Sequence, residues 1–160
     1  MIIPPISLPQ AAIDLVEQSE GFRANAYPDP VSGGEPITIG WGRTGGVKLG
    51  DTTTPDIERA WLVARLQSIC DAINRDCTWD GLTADEMAAL IDFAYNLGVG
   101  ALEGSTLWRL LMAGDVAGAD AQFPRWDMAG GHAVAGLLRR REAEAALFME
   151  GDPNAGPTAS

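Results

Sequence analysis

The chain has 160 residues, with 11 basic against 22 acidic side chains, a formal charge of −11 and a pI near 4.3. The length fits one domain with room for two small lobes, and 46% hydrophobic residues suffice for a core. The charge argues against a nucleic-acid binder, which needs a basic face to release counterions, and against a protein resting on anionic lipid.

The acid is unevenly spread. Residues 1–50 carry a net −2, residues 51–100 a net −6 and residues 101–160 a net −3. An acidic middle third reads as solvated helix faces. The basic side consists of ten Arg and a single Lys, Lys48. One histidine, His132, and two cysteines, Cys70 and Cys77, offer few ligands for a zinc site, and no metal is expected. On one continuous helix the two cysteines stand about 10 Å apart along the axis, too far to bridge. They read as small buried thiols, with a bridge possible only if the helix ends between them. The N-terminus, MIIPPISLPQ, lacks a basic n-region and is broken by three prolines, so it does not read as a signal peptide. No apolar run approaches the roughly 20 residues of a membrane span. A soluble protein without a membrane anchor, held in the cell that makes it, is expected.

The first predicted helix runs from about Leu8 to Ser19, capped by Ser7 and stopped by Gly21. Leu8, Ala12, Leu15, Val16 and Ser19 form its inner stripe. Residues 22–53 change character. Pro28, Pro30, Pro36 and a run of glycines from Gly33 to Gly50 break any helix, and residues 36–42 alternate as a short strand. This segment reads as a β-rich lobe of two or three short strands. From Thr54 the chain turns helical to about Asn74, with Pro55 in the first turn and Asp56 and Glu58 at the positive end of the dipole. The next helix opens on a capping box, Thr83 with Glu86, carries Met87, Leu90, Ile91, Ala94 and Tyr95 on one face, and stops at Gly98. Shorter helices follow over about 105–113 and 115–122, then a long one from about Ala133 to Met149. The tail at 151–160 reads as disordered. The predicted architecture is α+β and mainly α. It is a single domain over 1–150, with the β-rich lobe at about 22–53, a larger all-α lobe at about 54–150, and a substrate cleft between the two.

Glu20 falls at the C-terminal end of a helix, where the macrodipole is negative and favours a protonated carboxyl, as a general acid requires. An ordinary exposed glutamate at a frayed end is the plain alternative. Asp29 comes nine residues later, in Tyr27-Pro28-Asp29-Pro30. It reads as a turn-former or as the second carboxylate of a glycoside hydrolase. Thr38, nine further on, is a β-branched strand residue or a hydroxyl that holds a water.

The run Glu20-Gly21-Phe22-Arg23, with Tyr27-Pro28-Asp29-Pro30 and Thr38-Ile39-Gly40-Trp41-Gly42, resembles the phage lysozymes, glycoside hydrolase family 24. Three later stretches agree: residues 93–100 with Ser105-Thr106-Leu107, residues 123–126 with Gly130-Gly131, and residues 136–144. The resemblance covers about residues 8–150. It implies a lysozyme-like fold and a muramidase that cuts the β-1,4 bond from N-acetylmuramic acid to N-acetylglucosamine in peptidoglycan. By the same resemblance Glu20 is the general acid, Asp29 the second catalytic carboxylate and Thr38 the catalytic threonine. No cofactor is implied. A monomer is expected, held in the host cytoplasm until a holin-type pore releases it.

Two departures stand out. Ser32-Gly33-Gly34-Glu35-Pro36 lengthens the turn between Asp29 and Thr38. Arg43 stands where the family often has a histidine, and could support lobe packing through an ion pair. Further candidates are weaker. Asn96 can serve an N-acetyl group or cap a helix. Tyr27 and Trp126 can stack on sugar rings, although core packing weighs more for Trp126, and Trp41 reads either way. Arg140 or Arg141 could reach Glu20 from the last helix and oppose the dipole. A lytic transglycosylase on the same fold and a catalytically silent peptidoglycan-binding module are the alternatives. The full set of Glu20, Asp29 and Thr38 argues against both.

Overall fold

The computed structural model describes residues 3–151. The tail expected at 151–160 lies, beyond Gly151, outside the described residues. The chain forms two compact units. One is Val16–Arg65; the other runs from Leu66 onward and includes the N-terminal residues up to Leu15.

The unit at 16–65 holds the second half of α1 (Gln10–Glu20), strands β1 (Arg23–Tyr27) and β2 (Thr38–Gly40), and the first half of α2 (Pro55–Asp76). Helix α1 ends at Glu20 because Gly21 takes φ +68°, the left-handed conformation that closes a helix, and its N–H donates to the Glu17 carbonyl at 3.1 Å. Strands β1 and β2 pair antiparallel, with Arg23 opposite Gly40 and Tyr27 opposite Thr38. Five residues of β1 thus span three of β2, so β1 bulges. Residues 51–53 run beside β1: the Ala26 N–H donates to the Asp51 carbonyl and the Thr53 N–H to the Ala24 carbonyl. The expected β-rich segment at 22–53 lies within this unit. One apolar cluster in it consists of Ile37, Ile39 and Val47 with Ala26 against them, and Val16, Trp41 and Leu62 of the same unit are buried as well.

The other unit is built on α3 (Ala84–Leu97). The capping box is present in full, with the Thr83 hydroxyl accepting from the Glu86 N–H and the Glu86 carboxylate accepting from the Thr83 N–H. Sequence periodicity pointed to one apolar face, but every residue from Glu86 to Ala94 is buried, so α3 is covered on all sides there. Helices α5 (Thr106–Met112) and α6 (Val116–Asp120) begin on the expected caps, Ser105 and Asp115. Helix α7 (Ala135–Glu150) packs on α3 and brings Phe148 inside. An aromatic chain runs from Trp126 to Phe93, Phe123 and Phe148, each step edge-on with centroids 5.3–6.0 Å apart.

Several expectations need correction. In α1, Ala12, Ile13, Leu15 and Val16 are buried, whereas Ser19 is exposed. A short helix, α4 (Val99–Glu103), follows Gly98 directly. Residues 128–133 form a hairpin, β3 (Met128–Ala129) with β4 (His132–Ala133). Its two-residue turn is Gly130-Gly131, both at positive φ, as such turns require. This hairpin delays α7 to Ala135. The acidic middle third is not all solvated: Glu58, Glu86 and Asp92 are buried. Helix α2 continues past Cys70 to Asp76, and both cysteines are free thiols. Burial pushes both thiols up, so they sit as protonated side chains.

Gly40 shows how tightly the smaller unit is assembled. It takes φ +64°, and a Cβ there would lie 2.6 Å from Cγ of Glu58. That side chain is pinned and cannot yield. Gly40→Ala is therefore expected to destabilise the protein by about 2–4 kcal/mol, the sum of left-handed strain and overpacking, read as a lower midpoint in urea unfolding.

Candidate active site

Glu20, Tyr27, Asp29, Thr38 and Arg43 all fall within the unit at 16–65. Glu20 is the last residue of α1 and is half-buried. The end of that helix is held from two directions. One turn before Glu20, Glu17 accepts a two-pronged bond from Arg59 of α2, with Nε at 2.8 Å and Nη2 at 3.3 Å. Two residues after Glu20, Phe22 packs on the buried Trp41 with ring centroids 4.9 Å apart. Arg59 also lies over the Trp41 ring at 5.3 Å. Trp41 is thus a packing residue that seats the helix end.

Asp29 organises the turn it stands in. Its Oδ1 accepts from the Val31 N–H at 3.0 Å and its Oδ2 from the Ser32 hydroxyl at 3.2 Å. Its backbone N–H donates to the Gly34 carbonyl, and its own carbonyl accepts from the Gly33 N–H at 2.8 Å. The turn-former reading is therefore realised, and the carboxylate is fixed in the same stroke. Thr38, on β2, is the direct cross-strand partner of Tyr27, so the hydroxyl and the phenol ring are neighbours across the β1–β2 ladder. Arg23 covers one face of the Tyr27 ring at 4.2 Å.

Arg43 forms an ion pair with Glu58. Its Nε donates to Oε2 at 2.9 Å and its Nη2 to Oε1 at 2.7 Å, and the Thr53 hydroxyl adds a bond to Oε1 at 2.7 Å. Glu58 is fully buried. The Arg43 guanidinium holds its carboxyl below the usual range, against the opposing effect of burial. Residue 43 also bridges back to Ile39, so the pair joins the end of the β2 turn to the first turn of α2. Sequence reasoning saw Glu58 only as an acid suited to a helix N-terminus. Arg43 has a partner that the sequence does not name.

Asn96, Trp126, Arg140 and Arg141 belong to the other unit. Arg140 forks onto Asp92 of α3 at 2.9 and 3.0 Å. Nη2 of Arg141 donates to Oε1 of Glu144 at 2.7 Å and to Oδ1 of Asn96 at 2.9 Å, and its guanidinium lies 5.1 Å from the Phe93 ring centre. Burial and the neighbouring Asp92 carboxylate push the Glu144 carboxyl up to about 10. The helix C-cap is Gly98, so Asn96 does not cap α3; its Oδ1 is taken by Arg141 and its amide N–H₂ is left to donate. Trp126 is half-buried and stands edge-on to Phe93. Asp92 and Glu144 escaped the sequence reading, although an aspartate inside the apolar run of α3 was a signal for a buried partner.

Among the described residues, no three His, Cys, Asp or Glu side chains gather as metal ligands, and no helix is long and apolar enough to cross a membrane.

Removing Arg43 would leave Glu58 buried and unpaired. Arg43→Ala is expected to cost about 3 kcal/mol at pH 7. The stabilisation from a depressed carboxyl is complete above the unfolded value, about 4.5, and is lost as pH falls through the folded one. The difference between wild type and Arg43→Ala should therefore narrow on acidification, as read by urea unfolding at pH 7 and pH 4.

The family model for phage lysozyme matches residues 17–144. The endolysin of Bacillus phage PZA is 36% identical over 149 residues, covering 92% of this chain and 57% of that protein. The chain thus spans little more than half the length of that relative. Among solved structures, the endolysin from Escherichia coli O157:H7 phage FAHEc1 superposes with a TM-score of 0.80 at 28% identity, covering 92% of this chain and 96% of that one. The muramidase domain of SpmX from Asticaccaulis excentricus superposes with a TM-score of 0.79 at 29% identity, covering 89% and 97%. The fold is lysozyme-like, α+β and mainly α, and the chain belongs to the phage lysozyme family.

Proposed function

We propose that the chain is a peptidoglycan muramidase that hydrolyses the β-1,4 bond between N-acetylmuramic acid and N-acetylglucosamine and so lyses bacterial cells. The observation that carries this reading is the placement of a helix-end carboxyl, a turn-fixed carboxylate and a strand hydroxyl in one small unit. Glu20, Asp29 and Thr38 all lie there, and all three fall inside the stretch that matches the family model.

In this mechanism Glu20 gives its proton to the glycosidic oxygen as the bond to the muramic acid C1 breaks. Asp29 stands as the carboxylate that stabilises the developing positive charge at C1 or takes part in its capture. Water adds its oxygen to C1, and its remaining proton restores the acid. Thr38 places the water or the sugar through its hydroxyl. Tyr27 offers the ring face not covered by Arg23 for stacking on a sugar. Asn96 offers an amide donor to an N-acetyl carbonyl, with Trp126 as a further sugar contact. Arg43, Arg140 and Arg141 have supporting roles.

The protein is proposed to work as a monomer without a cofactor or nucleic-acid partner. It would accumulate in the host cytoplasm and reach the wall through a holin-type pore.

The purified protein is expected to release muramic-acid reducing ends from peptidoglycan, whereas anhydro-muramic products would identify a transglycosylase instead. Glu20→Gln should lower turnover by about a thousandfold or more with the unfolding midpoint retained. A variant with normal activity would refute the assignment. The net charge of −11 opposes approach to an anionic wall, so lysis of whole cells should rise from low to moderate salt as screening lengths shorten. A steady fall with added salt would contradict this.

A further inference from the structure

The lengthened turn between Asp29 and Thr38 supplies a side chain that the mechanism above does not use. Ser32 is the first residue of that added stretch, and its hydroxyl is within hydrogen-bonding distance of Oδ2 of Asp29 at 3.2 Å. We propose that Ser32 is a positioning residue for the catalytic reaction, fixing the plane of the Asp29 carboxylate. This inference rests on the muramidase reading and on the role given there to Asp29.

The torsion that turns an aspartate carboxylate is soft and roughly two-fold, so a single tether leaves its plane free to swing. Here the two oxygens are tethered separately. Oδ1 accepts from the Val31 backbone N–H and Oδ2 from the Ser32 hydroxyl. The first tether is main chain and survives any side-chain change; the second depends on residue 32 alone.

The Ser32 oxygen is itself oriented by the Gly34 N–H, which donates to it at 3.2 Å. That leaves one hydroxyl proton for two acceptors, Oδ2 of Asp29 at 3.2 Å and the Glu35 carbonyl at 3.3 Å. A charged acceptor makes the stronger bond, so the proton goes to Asp29 while its carboxylate is ionised. If Asp29 loses its charge or engages C1, the same proton can turn to the Glu35 carbonyl without breaking the turn. The turn's frame does not need this hydroxyl: Gly33 N–H to Asp29 carbonyl and Asp29 N–H to Gly34 carbonyl are main-chain bonds.

The test measures kcat and KM on soluble peptidoglycan fragments for wild type, Ser32→Ala, Ser32→Thr and Asp29→Asn, with a thermal melt of each. Ser32→Ala is expected to lower kcat about tenfold, the cost of a loosened reacting group, with KM within about twofold and an unchanged melt. Ser32→Thr, which keeps the hydroxyl, should restore kcat to within about twofold of wild type. An unchanged kcat in Ser32→Ala would overturn the proposal, as would a loss carried by KM or a loss that threonine does not rescue. Asp29→Asn separates the two levels. If it keeps the wild-type rate, the role of Asp29 fails and Ser32 falls with it. If it is inactive while Ser32→Ala is normal, only the Ser32 inference fails.

Discussion

A carboxylate taken out of water has to bring its counter-charge with it, and both units of this protein are organised around that constraint. Glu58 is fully buried and is answered by Arg43 and Thr53. Asp92 is fully buried and is answered by Arg140, while Glu144 beside it, with its carboxyl pushed up to about 10, keeps its proton and accepts from Arg141. In each case the guanidinium comes from an element distant in sequence or from a neighbouring helical turn, so the pair ties segments that the apolar contacts alone would not register. The same constraint accounts for the composition. Four arginines (Arg43, Arg59, Arg75 and Arg140) bind a carboxylate through two nitrogens at once. Lysine carries a point charge and cannot make that fork, which is a physical reason for ten Arg against one Lys in this sequence.

Local signals were the legible part of the fold. The Thr83–Glu86 capping box, the Ser105 and Asp115 caps and the Gly21 stop depend on residues within a few positions of one another, and the structure uses each as the sequence suggested. Long-range pairing was not legible in the same way. Nothing near Glu58 announces Arg43, and a charge count over residues 51–100 cannot tell Asp56, which is exposed, from Glu58, which is buried two residues later. The hairpin at 128–133 lay between these cases. Its Gly-Gly turn was visible, but strands of two residues are too short to show an alternating pattern.

The candidate site was legible as a set of residues rather than as a geometry. Glu20, Asp29 and Thr38 were singled out by helix-end, turn and strand contexts, with their roles taken from the resemblance, and each stands in that context. Alternatives that looked exclusive at the level of sequence turn out to be compatible. Asp29 frames the turn through its main-chain bonds, and the same turn supplies the Val31 N–H and Ser32 hydroxyl that hold its carboxylate. Trp41 and Arg59 have packing roles that also fix the helix end carrying Glu20. Arg43, a departure from the family pattern expected to make an ion pair, makes it with Glu58 and anchors the end of the strand that bears Thr38.

The small apolar cluster of the unit at 16–65 has one more consequence. It has three buried residues, Ile37, Ile39 and Val47, whereas α3 buries nine in succession. Around it the β1–β2 ladder, the Asp29 turn and the Arg43–Glu58 pair are held by directional bonds, and such bonds open one at a time to water. Amide protons of β1 and β2 should accordingly exchange with solvent through small local openings, well before those of α3, whose release awaits global unfolding. The short β1–β2 ladder, with Thr38 on one strand, is therefore expected to open locally more readily than α3.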